Sequence, residues 1–155
     1  MIRALAIVVA ALVATAAHAE KPKKARWSIS AITLKLFDQD KNAVVSIDKP
    51  PNPYGLGLDL LVSVKVKGPT EIEGERPTLS LTVDAPASSD EATGDHDAWH
   101  EAQTRAITTL GDKGAMWFLF LVPYQCYENV TFAAKLTGAE ISADKTLAKN
   151  LGCAE

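Results

Sequence analysis

The chain has 155 residues, 47% of them apolar and 23% charged, with a formal net charge of −3 and a mean hydropathy of +0.02. This balance excludes disordered, collagen-like and multi-span membrane classes. A mildly acidic chain also lacks the basic footprint that nucleic acid requires.

The first residues, MIRALAIVVAALVATAAHAE, place Arg3 ahead of an Ala-rich apolar run and end on Ala17-His18-Ala19. Small residues at −3 and −1 mark a signal peptidase site, so residues 1–19 read as a cleaved secretory signal. The run is shorter than the roughly 20 apolar residues that a spanning helix needs, so no stable membrane insertion of the mature chain is expected. Its Ala-rich style resembles bacterial signals, which implies a periplasmic or secreted product. Residues 20–26 carry Lys21, Lys23, Lys24 and Arg26 and read as a flexible basic leader. Residues 27–155 then form a single domain, a length within the usual range.

From Trp27 onward the dominant period is two. Trp27 to Phe37 is β-rich, and Val44 to Ile47 is a short second strand. Leu58, Leu60, Val62, Val64 and Val66 alternate with Asp59, Leu61, Ser63, Lys65 and Lys67, the pattern of a half-buried strand. Thr78 to Val83 repeats it. Trp99 to Leu110 is ambiguous, and the expectation is a loop or helical turn feeding a strand through Arg105 to Leu110. Met116 to Val122, MWFLFLV, is apolar on both parities, which predicts a central strand covered on both faces. Val130 to Thr137 and Thr146 to Leu151 alternate again and predict a hairpin. Asp38 to Asn42, the proline-rich stretch 49–55, Gly68-Pro69 and residues 111–114 supply the breaks between strands.

Short strands punctuated this often predict an all-β antiparallel sandwich. About seven strands, a covered MWFLFLV strand and a final hairpin resemble the immunoglobulin- or fibronectin-III-like sandwiches of bacterial secreted proteins, over roughly Trp27 to Cys153. The resemblance implies architecture alone. The antibody-type pair of cysteines facing each other across two sheets is absent, and fold does not select function.

The two cysteines, Cys126 and Cys153, are expected to be bridged in an oxidising compartment. Residues facing each other across a hairpin sum to a constant, and 126 + 153 = 279. A hairpin of that register, centred between Ala139 and Glu140, brings both sulfurs to its open end.

Chemistry concentrates in Ser88 to Glu101, SSDEATGDHDAWHE. On a helix, His96 and His100 would stand at i and i+4 with Asp97 or Glu101 beside them, a set suited to Zn²⁺. In a loop the carboxylates would instead suit Ca²⁺. A solvated insertion and a partner-binding loop stay open as readings beside the metal site. Trp99, Tyr124 and Tyr127 are candidate contacts for a glycan or protein partner, or else packing over the bridge and the loop. Trp27 and Tyr54 also fall outside the clearest core strands.

Several activities lack their residues. Blue copper needs a histidine shortly after a cysteine, and none follows His100. No G-x-S-x-G elbow or glycine-rich phosphate loop is present. The sequence therefore predicts an exported, non-catalytic β-sandwich module, binding or structural. The alternative is a small metal-binding protein or metal-dependent enzyme built on the acidic loop 90–101.

Overall fold

The alternation of β3 (Leu58–Lys67) is realised residue by residue: its five odd-one-out aliphatics, Leu58 through Val66, point into the core and its intervening residues face outward. The computed structural model describes residues 26–51, 56–72, 74–90, 94–138 and 141–152. The expected signal 1–19, leader residues 20–25, Tyr54 and Cys153 lie outside the described residues.

β3 sits inside a four-stranded sheet, here called sheet A, of order β2-β1-β3-β8, with β1 at Ser28–Asp38, β2 at Ala43–Val45 and β8 at Ala115–Pro123. Sheet B has the order β10-β9-β4-β7, from β4 (Thr78–Ala85), β7 (Trp99–Ala106), β9 (Tyr127–Gly138) and β10 (Ile141–Leu151). A small third ribbon pairs β5 (Ser88–Asp90) with β6 (Gly94–His96). Every pairing is antiparallel. The inner faces of sheets A and B share one core, in which Leu36, Leu60 and Phe120 meet Leu81, Phe132 and Leu136. The protein is an all-β sandwich.

Among the described residues ten strands are present where about seven were expected. The additions are the three-residue ribbon β5–β6 and β7, which occupies the stretch expected to begin as a loop or helical turn. β7 was hidden because, after the buried Trp99 at its start, its inward residues are not apolar. Glu101, Gln103 and Arg105 stand opposite the buried Val83, Leu81 and Leu79 of β4, so the period of two leaves no hydrophobic trace. After Ala106 the chain leaves the sheet, with Ile107 buried and its N–H bonded to Pro77 O at 2.8 Å.

β8 differs from expectation in a second way. The MWFLFLV run pairs with β3 alone and forms an edge of sheet A. Phe120 and Val122 enter the core, whereas Trp117, Leu119 and Leu121 face outward. The run is apolar on both parities, yet only one parity is covered.

The final hairpin follows the predicted register. Ile141 pairs with Gly138, Ala143 with Leu136 and Lys149 with Val130, each pair summing to 279. Near the open end the register slips, and Leu151 pairs with Tyr127. Glu128 and Asn129 thus oppose Asn150 in a β-bulge. Asn129 adopts φ 54°, and its N–H, lost to the ladder, donates to Asn150 Oδ1 at 2.9 Å.

The two long sides of the sandwich are closed differently. Along one, β10 runs beside β1, and Lys149 Nζ donates to Asp48 Oδ1 at 2.7 Å. Along the other, the edge strands β7 and β8 approach through side chains. Gln103 Nε2 donates to Leu121 O at 2.7 Å, and the Arg105 guanidinium lies 5.5 Å from the Phe120 ring centroid. Inward-pointing polar residues of this kind keep an edge from pairing with another chain.

Candidate functional site

The acidic, histidine-bearing stretch is extended and not helical. His96 ends β6 and His100 belongs to β7, so the i, i+4 face proposed for Zn²⁺ is not formed. His100 Nδ1 donates to Asp84 Oδ1 at 2.5 Å on the outer surface of sheet B, across the β4–β7 ladder. His96 instead packs edge-on against Tyr127, with ring centroids 5.7 Å apart. Asp97 lies between β6 and β7 and is exposed; Glu101 is half-buried on the inward side of β7. Among the described residues no group of three or more His, Cys, Asp or Glu side chains is placed to hold a metal ion.

The three aromatics singled out from the sequence act as fasteners. Trp99 is 5% exposed and stacks on Tyr127 at 5.7 Å and 22°. Its Nε1 is buried without a hydrogen-bond partner among the described residues. Tyr127 donates its hydroxyl to Asp97 O at 2.6 Å, which ties the β6–β7 connection to the start of β9. Tyr124 is buried and donates to Gly152 O at 3.1 Å; burial pushes its phenol pKa up and keeps the hydroxyl a donor. Between these tyrosines, Cys126 is half-buried against the core. The tail after β10 and the end of the acidic loop are thereby held against the β8–β9 corner.

The feature that sequence reasoning missed lies on the outer face of sheet A. Trp117, Leu119 and Leu121 are 43%, 49% and 49% exposed and form a stripe along β8. Cross-strand pairing extends it, since Leu61 stands beside Leu121, and Phe37 pairs with Val44, itself 54% exposed. Lysines lie behind the stripe. Lys65 pairs with Trp117 and places its ammonium 5.4 Å from the indole centroid, Lys67 pairs with Ala115, and Lys35 pairs with Leu61. Asp59 is the acid among the outward residues of these strands, and it accepts from Gln39 Nε2 at 2.7 Å. The outer face of sheet A is therefore apolar along one edge and basic behind it.

Large exposed apolar patches on soluble proteins mark contact sites, and no single-sequence period distinguishes such a stripe from a buried strand face. Only the strand order reveals it. Searches against family models, curated proteins and solved structures return no significant match. Among the described residues, no helix is long and apolar enough to cross a membrane.

Proposed function

We propose that the chain is an exported, non-catalytic β-sandwich module that works by contact, through the outer face of sheet A. The observation that carries this reading is the exposed Trp117–Leu119–Leu121 stripe on a face whose described strand residues include Lys35, Lys65, Lys67 and one acid, Asp59, which accepts from Gln39. The polar groups that would have supported chemistry are committed elsewhere: His100 to Asp84, His96 and Trp99 to Tyr127. Export rests on the signal-like residues 1–19 and places the product in a periplasm or outside the cell.

The finer fold reading is an immunoglobulin-like sandwich. In support, β1-β3-β8 opposite β10-β9-β4 matches the A-B-E and G-F-C order of that architecture, with β7 placed beside the C-equivalent strand. A Cys126–Cys153 bridge belongs to the same reading. Its support is the hairpin, whose open end sets Cys126 beside the end of β10, the lack of a free cysteine among the described residues and the presence of two cysteines in the chain.

The test compares the protein with its Trp117→Ser, Leu119→Ser and Leu121→Ser variants for retention on a total cell-envelope extract. Loss of retention with unchanged melting supports a contact face. Retention that ignores all three substitutions removes the reading.

A further inference from the structure

The outer face of sheet A has a geometry that selects its partner, and this step rests on the contact reading above. We infer that the face docks on an anionic lipid surface, with the β8 stripe entering the boundary between headgroups and acyl chains.

Three features of the face converge on this partner. The stripe of Trp117, Leu119 and Leu121 lies on an edge strand, with Leu61 one strand back, so it can dip into a surface while most of the sandwich stays outside. The lysines sit behind them at graded depth. Neighbouring strands are about 4.8 Å apart, so Lys65 and Lys67 on β3 stand one strand back from β8, and Lys35 on β1 stands two back. That range matches the roughly 5–10 Å to which interfacial apolar faces are buried, leaving the ammonium groups at the level of lipid phosphates. Trp117 is suited to that boundary, since an indole joins a large apolar body to an N–H donor.

The open backbone of the β8 edge sets the depth. Gln103 takes the Leu121 carbonyl, and by strand alternation the N–H and C=O of Trp117 and Leu119 point the same way. Hydrocarbon would leave such groups unsatisfied at high cost, whereas water and headgroups satisfy them at the interface. Docking is therefore shallow and spans nothing.

Charge and area argue against a second copy on this face. Two such faces would oppose lysine to lysine. The stripe is narrow, three side chains each about half exposed, whereas a standard protein interface buries roughly 800 Å² per partner. An anionic surface needs no such area, because lysines near it add attraction individually. Arg26 continues the positive charge at the start of β1, where Trp27 packs over Gly68.

The experiment is flotation of the purified full chain, as its host processes it, with vesicles of phosphatidylglycerol mixed into phosphatidylcholine and with vesicles of phosphatidylcholine alone. Any retained leader is common to all variants, so differences among variants report the face. Binding to the anionic vesicles is expected, weakened by salt and roughly fivefold weaker for each of Lys35→Gln, Lys65→Gln and Lys67→Gln. It should be abolished by Leu119→Ser with Leu121→Ser and unchanged by Thr82→Ser on the opposite face, with melting curves verifying folding. No binding to anionic vesicles, or equal binding to both compositions, overturns the inference. So does a dimer in sedimentation that depends on Leu119 while vesicles are ignored. If the stripe variants still lose envelope retention when vesicles are not bound, the lipid step falls and the contact reading stands. If they lose neither, both fall.

Discussion

Sheets A and B are alike inside and opposite outside. Both line the core with apolar side chains at every second position of their inner strands, β3 in one and β4 and β9 in the other. On its outer surface sheet B carries Thr78, Ser80 and Thr82 from β4, Thr131 and Ala133 from β9, and Ala102 and Thr104 from β7. None of these is an aliphatic larger than alanine. Threonine meets the strand's preference for β-branched residues while remaining wettable, so an outward strand position needs no Trp or Leu to form. Sheet A nevertheless spends three adjacent outward positions of β8 on Trp117, Leu119 and Leu121. The contrast teaches that the stripe is not a by-product of making strands, and its explanation has to lie outside the fold.

The largest effect that would break this comparison comes from β8 itself, where neighbouring residues face opposite ways. Phe120→Ala removes a fully buried ring from the core and should cost about 3–5 kcal/mol. Leu119→Ser, one residue away and half exposed, should change stability by no more than about 0.5 kcal/mol. Urea unfolding of both variants measures the difference. A cost for Leu119→Ser near that of Phe120→Ala would mean that β8 is covered on both faces after all, and would return the stripe to the core.

The next effect separates the fasteners of the two sheets. Sheet B closes its last hairpin at the Cys126 corner, beside the bulge and Tyr124, where we propose a bridge. Cys126→Ala should lower stability by about 3 kcal/mol, in line with a cross-link that closes a loop of this size. The same loss should follow from reductant acting on the unaltered protein, read as a melting shift. A melt insensitive to reductant would leave the bulge and the tyrosine contacts as the whole fastening of that corner.

How much of this was legible in the sequence depends on whether a residue's partner was near or far. The alternating runs of β3, β4 and β9 were readable because each buries one parity, and the 279 register of β9 with β10 followed from hairpin geometry alone. β7 was not readable, because after the buried Trp99 its inward residues are Glu101, Gln103 and Arg105, which leave no apolar alternation. β8 was misread for the converse reason. Apolar residues on both parities fit a doubly covered strand and an edge strand with an apolar outer face equally well, and only the pairing of β8 with β3 alone decides between them. The acidic stretch showed its composition but not its shape. Extended ribbon pairing separates His96 from His100, and Tyr127, thirty residues on, gives His96 and Trp99 their contacts.

The smallest predicted effect concerns sheet A's own fastener, which is a carboxylate. Asp38 closes the β1–β2 turn; it is buried, accepts the Lys41 N–H at 3.0 Å and meets Lys41 Nζ at 3.2 Å. The Lys41 backbone N–H is the chief reason its pKa lies below the ordinary aspartate value, against the opposing push of burial, with the Lys41 ammonium adding to the lowering. A depressed carboxylate contributes stability that is present in full above the unfolded pKa and lost as pH falls through the folded one. The gap in melting temperature between the protein and Asp38→Asn should thus be widest near neutrality and close progressively below about pH 4. Reductant should leave that gap unchanged, just as acid should leave the contribution of Cys126 unchanged. A gap that stays constant down to pH 2 would mean that the carboxylate's charge contributes nothing to the turn and that its shape alone does, so the two sheets would differ in their outer faces but not in the kind of fastening that holds them.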